Sequence, residues 1–254
     1  MRPPIFIVGN ARSGTTLLRL LLDTHPNIAS GPETQFLADL EKIVGEDWER
    51  IRRFGFEKAY WHDQIAGFFH SFQEDYARRC GKERWAEKTP SYALHLDFID
   101  ALFPKCQVLH IVRSGYDVVA SCLDRWGYPQ ALKNAGWEWK RVVTAAQRFG
   151  ARVEDGRYHE LRYERLVTAP EATLRGVFDF LGEPWDPVVL RYDEFEHDRP
   201  QFSREFMQRR RREGGDASTI YSSRVGTGRE ELGPFLKGVL RWRAGDLLQR
   251  LGYE

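Results

Sequence analysis

The stretch Pro4-Ile-Phe-Ile-Val-Gly-Asn-Ala-Arg-Ser-Gly-Thr-Thr16, running straight into Leu17-Leu-Arg-Leu-Leu-Leu22, decides the fold class of this chain. Ile5–Val8 is an unbroken apolar run, as expected of a strand covered on both faces. Leu17–Leu22 reads as a buried helix. Between them lies a glycine loop. In a strand–glycine loop–helix unit, successive backbone N–H groups and the helix N-terminus converge on a phosphate-like anion. The spacing of Gly9 and Gly14 is that of a nucleotide-triphosphate P-loop, but the lysine that should follow Gly14 is Thr15. The stretch therefore predicts an anion site without the usual residue for a γ-phosphate. Arg12 adds a forked, charged donor, and Ser13, Thr15 and Thr16 add hydroxyls.

Three more short runs read as buried strands: Arg84–Glu87, Val108–Val112 and His159–Tyr163. Each is followed by a helical pattern. Strands alternating with helices predict an α/β fold, a P-loop-like doubly wound parallel sheet flanked by helices. Ligands of such sheets sit outside the carboxyl ends of the strands. After the last strand, Thr168 and Glu171 read as a capping box. Leu174, Val177, Phe178 and Leu181 follow as an apolar face, and Gly182 as the stop. Residues 47–79 are helical in character and rich in aromatics, and predict a helical cover over the sheet. Residues 194–223 are polar and contain Arg209-Arg-Arg-Arg212 and Gly214-Gly215. They read as a lid-like loop or, equally, as a solvated helix face followed by a linker. Leu236–Leu251 reads as a closing amphipathic helix. Nothing resembles an interdomain linker, so residues 1–254 are expected to form a single domain.

Composition restricts the function classes. A chain of 254 residues can bury a full core, about 70–75% of its unfolded surface. Hydrophobic content of 42%, with 13% aromatics, fits a soluble globular protein. A net charge of +1 argues against a chain built as a whole to bind nucleic acid or membranes. Cys80, Cys106 and Cys122 are widely spaced and include no CxxC pair. They indicate neither a disulfide framework nor a zinc site, and favour a reducing, cytoplasmic setting. The apolar run before Gly9 is too short for a signal peptide, and no run approaches the ~18 apolar residues of a spanning helix.

Four further segments carry chemistry. Arg113 ends the strand Val108–Val112 and is followed by Ser114 and Asp117, which read as a capping pair for the next helix. Asp117, Ser121 and Arg125 fall four apart and share a face. Arg113, Ser121 and Arg125 can converge on a second anion, or form a solvated helix face. A nucleotide triphosphatase would usually end this strand with an Asp for Mg²⁺. Ser30-Gly-Pro-Glu33 reads as a capping box, with a general base as the alternative role for Glu33. Lys88 ends the strand Arg84–Glu87, where site residues collect. It can replace the lysine missing after Gly14, or be an ordinary surface lysine. Tyr221-Ser-Ser-Arg-Val-Gly-Thr-Gly-Arg229 can clamp a phosphate or be a glycine-rich turn.

Taken together, RSGTTLLRLLLDTHPNIASGPET (12–34), EKTP (87–90), VLHIVRSGYDVVAS (108–121), RYERLVTAPEATLRGVFDFLG (162–182) and SSRVGTGR (222–229) resemble one family in order and spacing. It is the family of sulfotransferases that use 3′-phosphoadenosine-5′-phosphosulfate (PAPS). The likeness is to the bacterial branch and the protein-tyrosine sulfotransferases. The resemblance implies that Arg12, Ser13, Gly14, Thr15 and Thr16 hold the 5′-phosphosulfate. It implies that Arg113 and Ser121, with Arg125 as a further ligand, hold the 3′-phosphate. Tyr163 would contact the adenine side, and Ser223, Arg224, Gly226, Thr227, Gly228 and Arg229 would wrap the nucleotide. Lys88 would stabilise the transferring group. The cytosolic branch uses a histidine as its base at the position of Pro90, whereas Glu33 matches the base of the tyrosine-sulfating branch. His110, inside its strand, reads as a core residue.

The function so implied is sulfuryl transfer from PAPS to a hydroxyl or phenol acceptor, a small molecule or a peptide. It would proceed by in-line attack with Glu33 as base and Lys88 and Arg12 as catalytic cations. The product would be 3′-phosphoadenosine-5′-phosphate (PAP), and no metal would be needed. A P-loop small-molecule kinase and a catalytically silent nucleotide-binding protein are the alternatives. Thr15 and the missing strand-end Asp count against the first; Glu33 and Lys88 count against the second.

Overall fold

A computed structural model of the chain describes residues 2–197, Gln208 and 220–254. Most of the polar stretch expected as a lid, including Arg209–Arg212 and Gly214-Gly215, lies outside the described residues. Among the described residues five strands form one sheet: β1 (Ile5–Gly9), β2 (Ile28–Ala29), β3 (Arg84–Lys88), β4 (Gln107–Val112) and β5 (Tyr158–Arg162). Their order is β2-β3-β1-β4-β5, and every pairing is parallel. The chain leaves β1 toward β3 on one side and reaches β4 on the other, so the sheet order reverses at β1. A crevice at such a switch point is where ligands bind in open α/β sheets.

The unbroken hydrophobicity of β1 follows from burial on two faces. Ile5 and Ile7 pack with Leu17, Leu20 and Leu21 of α1 (Thr15–Asp23) and with Leu174, Val177 and Phe178 of the later helix Pro170–Leu181. Phe6 and Val8 point the other way, into a layer with Phe69, Trp85, Phe103, Val142 and Phe149. A third cluster joins Tyr116, Val119 and Trp139 to Leu236, Leu240 and Leu247 of the C-terminal helix Pro234–Arg250.

The aromatic segment divides into a short helix Trp48–Ile51, a 3₁₀ turn Arg52–Phe54 and the long helix Lys58–Arg79. Phe69 is fully buried against Phe6, Trp85 and Phe103. Phe54, Phe56, Tyr60 and Phe68 are exposed. The segment covers one face of the sheet through Phe69, with Phe72 and Tyr76 packed half-buried beside it.

Two local expectations fail. β2 has only two residues and carries no periodicity to detect. The Thr168–Glu171 capping box does not form. Helix Pro170–Leu181 starts at a proline with Ala169 before it, a start that pre-sets the first helical φ without a capping side chain. Thr168 Oγ1 instead donates to the Glu164 carbonyl at 2.8 Å, and Glu171 pairs with Arg175 at 2.8 Å. The three cysteines are free, and burial pushes the Cys106 and Cys122 thiols up to about 11. No helix among the described residues is long and apolar enough to cross a membrane.

Candidate active site

The glycine loop sits at the carboxyl edge of the central strand. Gly9 lies beside Ile111 in register, and a Cβ there would stand 2.5 Å from the Ile111 carbonyl oxygen. The loop closes with Ser13 N–H donating to the Asn10 carbonyl at 3.1 Å. Asn10 anchors it from below, donating to Asn134 Oδ1 at 2.9 Å. Arg12 (φ 72°) and Gly14 (φ 95°) both adopt left-handed backbone. For Arg12 this conformation costs about 1–3 kcal/mol, strain of a kind that collects at functional sites. At Gly14 it is enforced sterically, because a Cβ would come within 2.4 Å of the Tyr163 ring. Gly14 occupies the N-cap of α1, and the first turn holds no acidic residue. The unpaired N–H groups and positive dipole end of that helix are therefore left for an outside anion.

Arg113 ties three segments together. Its Nη2 donates to the Arg224 carbonyl at 2.8 Å and its Nη1 to the Arg12 carbonyl at 3.3 Å, and its guanidinium carbon lies 4.4 Å over the Tyr163 ring. Asp117 Oδ2 is 3.6 Å away. On the neighbouring face, Arg12 Nε donates to Ser121 Oγ at 3.0 Å. Residues expected to hold two separate phosphates thus touch each other. The cavity they share is lined by Arg12, Gly14, Thr15, Thr16, Arg113, Ser121, Tyr163, Arg224 and Thr227, and also by Tyr221, Asp117 and Glu231. Ser13 Oγ and Arg113 Nε are buried with no hydrogen-bond partner among the described residues. Orphaned buried donors cost about 1–3 kcal/mol each, so two of them beside an uncapped helix fit a phosphate-bearing ligand.

The helix after β4, Gly115–Trp126, is not capped as the sequence suggested. Ser114 stands at its N-cap without a side-chain cap, and the Glu164 carboxylate accepts the Ser114 N–H at 2.9 Å. Asp117 turns away to the late glycine loop, accepting Gly226 N–H at 2.9 Å and Gly228 N–H at 3.0 Å. Gly228 must be glycine, since a Cβ there would lie 2.5 Å from the Tyr116 backbone. Asp117 and Glu164 are the site residues that sequence reasoning missed. Their partners lie far away in the chain, at distances no spacing rule connects. Arg125 is exposed and lies outside the cavity lining, as do Ser223 and Arg229. Arg229 lies over the Tyr116 ring at 5.4 Å and near Glu254 at 3.8 Å.

The other half of the site is at the end of β3. Ser30 does not cap a helix; its hydroxyl donates to the Ala86 carbonyl at 2.8 Å. The next helix, α2 (Phe36–Gly45), starts later, and the Ser30–Glu33 capping box is absent. Glu33 Oε1 instead meets the Lys88 ammonium. The Lys88 side chain is 4% exposed, which removes the surface-lysine alternative, while that of Glu33 is 36% exposed. Burial holds the Lys88 ammonium below the ordinary lysine range, with the Glu33 carboxylate opposing the shift. Arg19, set within the apolar run of α1, donates to the carbonyls of Ser30 at 2.7 Å and Gly31 at 3.1 Å and so fixes the arm that carries Glu33. Neither Glu33 nor Lys88 is part of the cavity lining; Lys88, on β3, is in register with Ile7 of the central strand β1. His110 is fully buried, with Nδ1 2.7 Å from the Tyr158 hydroxyl, and is a core residue. Pro90 opens a 3₁₀ turn.

Known proteins are similar to this chain in sequence and in fold. A protein-tyrosine sulfotransferase of Drosophila melanogaster is 29% identical over 208 residues, which are 76% of this chain and 40% of that protein. The chain spans about half the length of several curated relatives it matches. Among solved structures, the sulfotransferase domain of the Synechococcus PCC 7002 olefin synthase superposes with a TM-score of 0.74. It is 24% identical and covers 100% of this chain and 97% of that one. A mouse sulfotransferase complexed with PAP gives a TM-score of 0.57 at 16% identity, covering 98% of this chain and 88% of that one. At these identities the superpositions establish the fold. The sulfotransferase family profile matches residues 3–187, well over half of the sequence, and the chain belongs to that family.

Proposed function

We propose that this chain moves a sulfuryl group from PAPS to a hydroxyl or phenol acceptor by in-line attack, with Glu33 as general base. The observation that carries this reading is the Glu33 carboxylate resting on the buried Lys88 ammonium, near a glycine loop whose helix N-terminus has no acidic residue. The fly relative, a protein-tyrosine sulfotransferase, and the PAP held by the mouse structure support it. When bound, PAPS supplies a sulfuryl group activated by its attachment to a phosphate leaving group. Arg12, Ser13 and the amides of Gly14, Thr15 and Thr16 would hold its 5′ end. Arg113 and Ser121 would hold the 3′-phosphate. Tyr163 would lie on the adenine side, with the loop Ser223–Arg229 held closed by Asp117. Arg125, exposed and outside the cavity lining, is left out of this set.

Glu33 Oε1 is taken by Lys88, so Oε2, which among the described residues accepts a 3.3 Å bond from the Gln35 amide, is the oxygen left to receive the acceptor proton. Lys88 has two parts: it holds the Glu33 carboxylate in place, and it offers positive charge where negative charge grows during transfer. Arg12 and the loop amides meet that charge from the other side. These fixed cations take the place a divalent metal has in phosphoryl transfer. The purified chain is expected to transfer labelled sulfate from PAPS to simple hydroxyl or phenol acceptors, equally well with and without EDTA. Turnover of ATP that requires Mg²⁺, with no sulfate transferred to any acceptor tried, would contradict the proposal.

A further inference from the structure

Glu87 takes no part in the chemistry just described, yet it stands next to Lys88 in β3 and is 2% exposed. A buried carboxylate is costly unless donors surround it. Its Oε1 accepts from Thr89 Oγ1 at 2.6 Å, Thr34 Oγ1 at 3.1 Å and Thr34 N–H at 3.3 Å. Its Oε2 accepts from Gln73 Nε2 at 3.1 Å. A hydroxyl has one proton to give. Since Thr34 gives its proton to Glu87, the Tyr92 hydroxyl donates to Thr34 Oγ1 at 2.8 Å and itself accepts the Leu37 N–H at 3.0 Å. Thr89 Oγ1, its proton likewise committed, accepts the Gln35 N–H at 3.4 Å. Each of these chains runs toward Glu87 and ends on its oxygens. Burial pushes the Glu87 pKa up, and the Thr34 and Thr89 donors oppose that shift.

The network holds the turn that carries Glu33. The N–H groups of Thr34, Gln35 and Leu37 flank the start of α2, where a helix leaves its donors unpaired. Gln35 is in left-handed backbone, φ 60°, a disfavoured state that needs outside support. Gln73 ties the same carboxylate to the helical cover. The charge of Glu87 also acts on Lys88. Burial and Arg19 disfavour the ammonium, while Glu33 and Glu87 favour it.

We propose that Glu87 is a positioning residue: its oxygens accept the donors of the 34–37 turn and of the helical cover, so that Glu33 stays on Lys88. This rests on the reading of Glu33 as the base. The test compares Glu87→Gln, Glu87→Ala, Glu33→Gln and the double variant Glu33→Gln/Glu87→Ala, with PAP affinity measured by calorimetry. Glu87→Gln keeps an oxygen for Thr34 and Thr89, and the Gln73 amide can turn its oxygen to the new NH₂. It should restore most of the kcat lost in Glu87→Ala, the rescue expected where an acceptor oxygen positions Glu33. Glu87→Ala should lower kcat about 10²-fold through misplacement of Glu33, with PAP affinity unchanged. The double variant should be no slower than Glu33→Gln alone, as residues acting in one unit are not additive.

Losses that multiply in the double variant would overturn the proposal. So would a Glu87→Gln variant as slow as Glu33→Gln, and this second result decides the matter if Glu87→Ala does not fold. Full turnover by Glu33→Gln alone would overturn the assignment of the base, and this one with it, without reference to any Glu87 variant.

Discussion

The two halves of the site are built in opposite ways. Around β1 and β4, the nucleotide half consists of backbone amides, an uncapped helix end and two arginines, and its carboxylates Asp117 and Glu164 are spent on N–H groups of the surrounding loops. At the end of β3, the half proposed for transfer consists of acidic and basic side chains tied to one another and to the chain: buried Lys88 beside the exposed Glu33, buried Glu87 within its donors, and Arg19 on two carbonyls. The first half offers many weak donors to a ligand that brings its own charge. The second sets acidic and basic side chains against one another. A substitution in the first should therefore appear in nucleotide affinity, and one in the second in turnover.

The largest departure from that division would come from Lys88. Replacing it with Met removes a donor aimed at developing charge, which typically costs about 10²–10³ in kcat, while PAP affinity should change little. A fall in affinity as large as the fall in kcat would break the comparison. Lys88 also sets a pH limit. Its pKa is lowered by burial, so the ammonium is lost as pH rises through a value below that of an ordinary lysine. The alkaline limb of kcat/KM, which reports the free protein, should lie below the range of an ordinary lysine and disappear in Lys88→Met.

Arg113→Ala should act through affinity. It removes charge-assisted hydrogen bonds worth about 1.5–3 kcal/mol, so PAP should bind about 10–150-fold more weakly. A nucleotide lacking the 3′-phosphate should lose much less, and equal losses would sink the 3′-phosphate assignment. Asp117→Asn sharpens the account of the late loop. One of the two bonds to Gly226 and Gly228 is replaced by an amide facing an N–H, and PAP affinity should fall about 10-fold with kcat retained. The smallest effect belongs to Arg125→Ala, an exposed change of about 0.5 kcal/mol or less. A loss of PAP affinity as large as that of Arg113→Ala would restore Arg125 to the nucleotide set.

The two halves also differed in how far the sequence revealed them. The nucleotide half was legible because its signals are contiguous: a strand, two glycines, hydroxyls and a helix within 4–22. Lys88 was legible as a strand-end residue. Its burial was not, because depth depends on α1 and the 30–34 arm folding over it. Three expected capping pairs, at Ser30, Ser114 and Thr168, failed for one reason. Serine, threonine and acidic side chains can satisfy local or distant partners equally well. Here Ser30 bonds to β3 and Asp117 to the late loop. Glu87 escaped notice because Thr34, Gln73, Thr89 and Tyr92 meet only in the folded chain.

The account turns on Glu33, and one variant tests it. General-base assistance contributes about 10²–10⁴ in rate, so Glu33→Gln at saturating PAPS should lose turnover in that range. PAP affinity, measured by calorimetry on the same preparation, should match that of the unmodified protein. Full turnover by this variant would contradict the assignment.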